Sequence, residues 1–327
     1  MTYLIIDDEH ILYRTMFSDI FKTKDYNVKE IPRMVVPKIL KPLYNLHYNR
    51  KINSHIFLPF KMIWFNCYQL HKFNFVDTEE YIVIFLNGSL RFHFSSGYLK
   101  KVKKKHPNVK LAMIMYDSFV NPAAKRSISM IPIFDYVFSF DKKDCETHGL
   151  QRIYSTFSYP DNVYSDSGKH TSAFFIGYGS GRLKLLQDTF RKITSDVQDC
   201  YFGIAGVNEK DIVDIPDVHY NVTIPYSEEL QMAYNTDCIV EVVKEGQTGV
   251  SLRTCEAIAF NKKLLTNNVQ IKEMPFYDSR FISVFTDSDE IDTEFVKAKV
   301  EVKYDDNSFF SPVRILQQLD SLSKKEG

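Results

Sequence analysis

The chain has 327 residues, 44% hydrophobic and 25% charged, a size beyond one ordinary domain and a composition that excludes a disordered or fibrous protein. Lys plus Arg and Asp plus Glu both number 41, so no global field steers the chain to nucleic acid, and its 26 Phe and 20 Tyr come without the Arg-rich or aromatic-repeat pattern that base stacking needs. Its five cysteines are scattered without paired spacing, which argues for reduced thiols and against zinc.

The amino terminus opens on a short buried strand, Leu4 to Ile6, that ends in Asp7-Asp8-Glu9-His10, too acidic for a signal peptide. Two further apolar runs of strand length, Tyr81 to Leu86 and Leu111 to Tyr116, flank a helix-like amphipathic stretch from Ser96 to Val109. A strand at Tyr136 to Phe140 and a helix at Lys142 to Gly149 complete a first alternation. The polar segment Tyr164 to Thr171 then reads as a linker. A second alternation follows at once: strand Ala173 to Ile176, helix Leu183 to Lys192, strand Tyr201 to Ala205, helix Ser227 to Tyr234, and strand Cys238 to Val243. The tail opens a last helix at Ser311-Pro312. Apolar strands alternating with helices predict an α/β chain of parallel sheets covered on both faces, divided at residues 1–165, 166–310 and 311–327. No apolar run approaches the ~18 residues of a membrane span, which predicts no spanning helix, and the scattered cysteines read as the reduced thiols of a cytoplasmic protein.

One stretch carries most of the chemistry. Glu245-Gly246-Gln247-Thr248-Gly249-Val250-Ser251 follows an apolar strand and feeds a helix holding Arg253, Glu256 and Ala257. A loop of small residues entering a helix presents unpaired amides and the positive end of the helix dipole, which suits a phosphate. Arg253 adds a charge, and Glu256, three residues on, shares its helix face, where a carboxylate can accept from two sugar hydroxyls. Asn261 to Asn267 then turns into another buried strand, so the helix sits within a strand-helix-strand unit.

These residues resemble the donor-binding half of GT-B-type glycosyltransferases of bacterial capsule and lipopolysaccharide assembly. In that family an acidic-Gly-x-x-Gly segment precedes a helix with a Glu-Ala pair and a strand with Lys-Lys and Thr-Asn ends, here Glu245 to Gly249, Glu256-Ala257 and Lys262 to Asn267. The resemblance implies two Rossmann-like domains facing a cleft, a first domain for the acceptor, a second for the donor, and a C-terminal helix returning to the first. It implies that Glu256 holds the donor ribose and that the preceding loop meets the diphosphate. The expected donor-binding set is Gly177, Arg182, Tyr226, Glu245, Gln247, Thr248, Gly249, Ser251, Arg253 and Glu256; the expected catalytic set is Asp8, His10 and Arg253. Retaining members often carry two glutamates eight positions apart, whereas Thr248 stands eight before Glu256 and the nearest upstream acid is Glu245, which leaves the stereochemical outcome open. The expected partners are a nucleotide-sugar and a glycan or lipid-linked acceptor, with no metal and no other cofactor. A catalytically inactive subunit and a nucleotide-sugar epimerase are the alternatives.

Other motifs weigh less. Gly177-Tyr178-Gly179-Ser180-Gly181-Arg182 follows a strand, yet its glycines are spaced two and two where a dinucleotide fingerprint wants two and three; Arg182 makes it a phosphate-facing loop, similar to a Gly-x-Arg element of the same family. Asp7-Asp8 looks like a receiver's acidic pair, but no Asp occurs between Asp25 and Asp77 to accept a phosphoryl group. Asp8 or His10 remains a candidate general base, at a strand end that faces the ligand crevice. Asp287-Ser288-Asp289 sits in a polar run and reads as a loop or cap. Lys100, Lys101, Lys103, Lys104, Lys105 and Lys110 form a dense basic patch, and residues from Lys38 to Lys72 mix cations with Trp64, Phe65, Tyr68 and Phe73. A solvated face or peripheral docking on an anionic membrane would account for either.

Overall fold

The computed structural model describes residues 1–7, 11–49, 52–53, 56, 58–86, 94–119, 122–125, 127–159, 170–245 and 249–326. The chain forms two compact units, Met1–Tyr154 with the segment from Pro312 onward, and Ser155–Ser311.

The first unit is built on a six-stranded sheet: β1 (Thr2–Ile6), β2 (Asn27–Ile31), β3 (Tyr81–Leu86), β4 (Val109–Met115), β5 (Tyr136–Ser139) and β6 (Gln151–Arg152). The spatial order is β2-β1-β3-β4-β5-β6, and every pairing is parallel. The central strands are apolar along their whole length because helices and loops cover both faces; β1 and β3 are buried at every residue. Leu4, Val83, Phe85, Leu111 and Met113 meet the Ser96–Lys105 helix through Tyr98, Leu99 and Val102, three positions of its inward stripe. That helix starts at Ser95, whose hydroxyl accepts from the Tyr98 amide at 3.2 Å.

The second unit carries β7 (Thr171–Tyr178), β8 (Cys200–Ala205), β9 (Val218–Tyr220), β10 (Thr236–Glu241), β11 (Lys263–Thr266) and β12 (Ile282–Val284). Its order is β12-β11-β10-β7-β8-β9, again all parallel. From β7 the chain winds outward to β9, then crosses back through the Tyr226–Tyr234 helix to β10 on the other side of β7. The direction of winding therefore reverses between β7 and β10, and the carboxyl ends of those two strands splay to opposite sides. Phe175, Phe190, Phe202, Cys238 and Val240 fill the core beneath that point.

Four strands escape a reading of apolar runs: β2, β6, β9 and β12. Each borders or lies near an edge, and Asn-Val-Lys-Glu-Ile of β2 buries only its last residue, so burial placed no apolar demand on its sequence. The Ser96 helix stops at Lys105, four residues short of the expected Val109, because His106-Pro107 breaks it and Val109 already pairs in β4. The expected linker from Tyr164 to Thr171 lies outside the described residues as far as Lys169.

Candidate functional site

Arg182 and the start of the Leu252–Ala259 helix are both tied to the end of β10, Arg182 at Val242 and Ser251 at Glu241. Arg182 follows β7; its Nε donates to the Tyr178 carbonyl at 2.8 Å and its Nη1 donates to the Val242 carbonyl just past β10, so one guanidinium ties both strand ends. Its Nη2 lies 3.0 Å from where a Cβ on Gly177 would stand, and the Phe175 ring is equally close to that point. Glycine at 177 makes room for the arginine, and Gly181, at φ +77°, turns the chain into the helix at a backbone angle other residues adopt only under strain. Burial lowers the Arg182 pKa, with Glu241 pulling the other way, yet the group remains a cation at any ordinary pH.

Glu241, the last residue of β10, holds the helix start in place. Buried to 1% exposure, it accepts from Thr254 Oγ1 at 2.8 Å, from Thr266 Oγ1 at 2.5 Å and from the Ser251 hydroxyl. Ser251 in turn accepts from the Arg253 amide at 3.1 Å as the N-cap. Asn267 clamps the loop, accepting from the Val243 amide at 2.6 Å and donating back to the Val243 carbonyl at 3.1 Å, while Asn268 donates to the Gly249 carbonyl at 3.3 Å. The loop and helix start are thus fixed by a buried carboxylate and two asparagines. Glu245 lies exposed in the turn before it. Gly246, Gln247 and Thr248 lie outside the described residues, as do Asp8 and His10.

Arg253 and Glu256 differ from the freely presented pair the sequence suggests. The Tyr226–Tyr234 helix packs on the Leu252–Ala259 helix and brings Glu229 against Arg253, whose Nη2 donates to Glu229 Oε1. Arg253 Nη1 stands 2.7 Å from Glu256 Oε2, but without hydrogen-bond geometry: Nη1 and both Glu256 oxygens lack hydrogen-bond partners. Arg253 is 8% exposed and Glu256 wholly buried. Burial pushes the Glu256 carboxyl up to about 8, outweighing the attraction of Arg253, and neighbouring Glu229 adds to the rise. Burial works against the Arg253 charge, yet Glu256 and Glu229 together hold its guanidinium above the ordinary range. The Tyr226 hydroxyl is also buried without a partner; burial, then the Glu256 charge, raises its pKa. Tyr226, Glu229, Arg253 and Glu256 form one buried polar cluster with unused hydrogen-bonding capacity. Orphaned groups at this depth cost free energy unless a proton or a ligand satisfies them.

Glu241 and Glu229 are the residues that sequence reasoning missed. Glu241 had a signal: a carboxylate inside the run Cys238-Ile239-Val240-Glu241-Val242-Val243 must find partners if that run is a buried strand. Glu229 had none, since its partner is 24 residues away on another helix.

The other motifs fall in ordinary roles. Asp287 is the N-cap of a short turn, in a reciprocal capping box with Glu290. In the lysine patch, Lys103 pairs with Asp135 at 2.7 Å and Lys110 donates to the Tyr136 hydroxyl at 3.1 Å, which leaves Lys100, Lys101, Lys104 and Lys105 as the exposed cations. In the first unit a cavity of about 310 Å³ opens at the carboxyl ends of β1 and β3, floored by Ile5, Ile6, Phe17 and Leu86 with Asp7 and Arg14 on its wall. Arg14 Nε donates to Asp7 Oδ1 at 3.2 Å. Burial raises the pKa of Glu30 beside it, and the Asp7 charge adds to the rise. Among the described residues no helix is long and apolar enough to cross a membrane.

No protein-family model and no curated protein matches the chain. Among solved structures it is similar to an α-glucosyltransferase in complex with UDP and a 13-mer DNA, at 12% identity over 90% of this chain and 89% of that one, with a TM-score of 0.54. It is also similar to a UDP-forming α,α-trehalose-phosphate synthase from Burkholderia vietnamiensis, at 9% identity over 91% and 90%, with a TM-score of 0.50. A protein from Listeria monocytogenes named as a UDP-N-acetylglucosamine 2-epimerase matches at 10% identity over 99% and 97%, with the same TM-score of 0.50. At these identities the likeness shows the fold, an α/β chain of two Rossmann-like domains of GT-B architecture.

Proposed function

We propose that the chain is a nucleotide-sugar-dependent glycosyltransferase whose donor sits in the second unit, at the carboxyl ends of β7 and β10. The observation that carries this reading is that Arg182 and a capped helix start are both anchored at the end of β10, at the switch point, and that the helix also carries a buried carboxyl with no hydrogen-bond partner. The first two suit a diphosphate and the third suits a ribose diol. The solved structures of similar fold include two whose names give UDP as ligand or product.

In the proposed reaction the bond from the sugar's anomeric carbon to the diphosphate oxygen breaks, and a bond to an acceptor hydroxyl oxygen forms. The acceptor's proton passes to a base, the role proposed for Asp8 or His10. Negative charge grows on the departing diphosphate, and Arg182 with the amides after Ser251 stabilises it without a metal. Arg253 supports this second-hand: it is the second residue of the helix, with its charge met by Glu229. A glycan or lipid-linked saccharide of a surface polysaccharide is the proposed acceptor, and the cytoplasm the proposed setting.

The test is a thermal-shift series with UDP, GDP, CMP and dTDP. A nucleotide at 100 times its dissociation constant adds about 2.7 kcal/mol of stability. One of the four should shift the transition in the wild type and shift it less in Arg182→Ala; no shift with any of them would sink the donor site. A nucleotide-sugar epimerase is the second reading, favoured by the match over 99% of this chain to the protein named as one. It would use the same nucleotide seat but leave the sugar on its nucleotide.

A further inference from the structure

The segment between β2 and β3 does something the sheet does not require. It is far longer than a crossover past the one intervening strand, β1, needs. Between Glu30 and Asp77 the sequence contains no acidic residue, although the whole chain carries as many acids as bases. Its cations include Lys38, Lys41 and Lys72, all exposed. Among the same residues stand several strongly exposed large apolar side chains: Ile39 at 88%, Phe60 at 79%, Ile56 at 68%, Ile63 at 64%, Leu46 at 57% and Leu43 at 53%.

These side chains are held outward by a rigid base. On the Lys41–His47 helix, Tyr44 and His47 face inward, and Leu43 and Leu46, also three apart, share the other side. Tyr44 packs edge-on against Trp64 with ring centroids 5.4 Å apart, and Trp64 Nε1 donates to His47 Nδ1 at 2.9 Å. His47 Nε2 donates to the Pro59 carbonyl at 2.7 Å, which brings the Phe60 corner beside the helix. Lys61 is buried beneath; its ammonium donates to the His47 carbonyl at 2.6 Å and to Asn53 Oδ1 at 3.0 Å, and lies over the Tyr48 ring. Phe60 itself occupies the left-handed region at φ 60°, a conformation a bulky residue adopts only when its surroundings impose it. A polar residue would serve a plain solvent-facing corner at less cost.

We propose that this segment, residues 32–76, is a docking element for an anionic lipid surface, with Ile39, Leu43, Leu46, Phe60 and Ile63 entering the acyl boundary and Lys38 and Lys41 meeting the headgroups. The charge pattern selects the occupant. Self-association through this face would set cations against cations with no acid to offset them, and a neutral apolar partner would gain nothing from the exclusion of every Asp and Glu. An anionic bilayer matches both the apolar tips and the uniform sign. The surface differs from the Lys100–Lys105 helix, whose apolar residues all face the core, and the inference is independent of the donor site.

The full chain should be tested by sedimentation with vesicles of phosphatidylcholine alone and of phosphatidylcholine with phosphatidylglycerol. Trp64, the chain's single tryptophan, lies directly under the patch and provides a second readout, quenching by brominated acyl chains. The expected result is binding to the anionic vesicles, at least tenfold weaker binding to neutral ones, and quenching of Trp64 only in the bound state. Leu43→Ser with Phe60→Ser should weaken binding at least tenfold, and Lys38→Gln with Lys41→Gln should reduce both binding and its salt dependence. All four positions are exposed, so melting temperatures should stay put. Absence of binding to anionic vesicles would overturn the proposal. So would binding lost only on replacing Lys100, Lys101, Lys104 and Lys105, or a concentration-dependent dimer that the Leu43 and Phe60 replacements abolish, since each assigns the face or the membrane contact elsewhere.

Discussion

Replacing Glu256 with Gln should remove a proton that donor binding otherwise expels. In the free chain burial holds the Glu256 carboxyl up to about 8, and neither oxygen has a hydrogen-bond partner. The free chain therefore favours the protonated carboxyl near neutral pH. A ribose diol that donates two hydrogen bonds favours the ionised carboxylate, so its arrival should release that proton. Wild-type affinity for the nucleotide should accordingly rise about tenfold per pH unit between pH 6 and 8 and level off above 8, about 1.4 kcal/mol for each unit. Calorimetry at pH 7 in two buffers of different ionisation enthalpy should find net proton release on nucleotide binding. The Gln variant should bind about tenfold more weakly at pH 8, with a flat pH profile over the same range and no proton release. A wild-type profile as flat as that of the Gln variant, with no buffer dependence, would refute the assignment of Glu256 to the ribose.

The same residue affects stability with a definite sign. The folded chain keeps this proton up to about 8 whereas an unperturbed glutamate releases it near 4.5, so its contribution is fully present below pH 4.5 and is lost as pH rises through 8. Denaturant midpoints should show wild type losing a few kcal/mol relative to Glu256→Gln across that window. Arg182→Ala removes the bridge between Tyr178 and Val242 along with the charge at the phosphate seat, and should lower turnover about a hundredfold with a smaller effect on the apparent KM; an unchanged kcat would remove Arg182 from the reaction. Glu241→Ala leaves the Ser251, Thr254 and Thr266 hydroxyls without their acceptor and should cost about 3 kcal/mol by urea unfolding, whereas an effect under about 0.5 kcal/mol would mean that the helix start holds itself. Chelation by EDTA should leave transfer intact, and recovery of lost activity by magnesium or manganese would contradict the metal-free chemistry.

The sequence showed the buried strands and hid the edge ones, for one physical reason. Tyr81-Ile82-Val83-Ile84-Phe85-Leu86 had to be apolar throughout because both of its faces are covered, whereas Val218–Tyr220 and Ile282–Val284, at the two edges of the second sheet, are short and were held to no such rule. The helix start at Ser251 and the position of Arg182 after β7 were readable because both lie next to strands in the chain. The state of Arg253 was not readable. Its charge is spent on Glu229, which reaches it from the crossover helix, and only the reversal of winding between β7 and β10 sets those two helices side by side. Glu256 was found by its residue type and its distance from Arg253, but its burial, and hence its proton, belongs to the packing of those helices.

Incubation of the chain with nucleotide-sugars labelled in the sugar, with an acceptor saccharide present, is the most direct test of the central claim. The account predicts that nucleoside diphosphate is released as label passes to the acceptor, and that Arg182→Ala abolishes most of this while keeping the wild-type melting temperature to within a few degrees. Label that stays on the nucleotide with its sugar inverted at another carbon would make the chain an epimerase, and an intact nucleotide-sugar with no nucleotide binding at all would contradict the donor site itself.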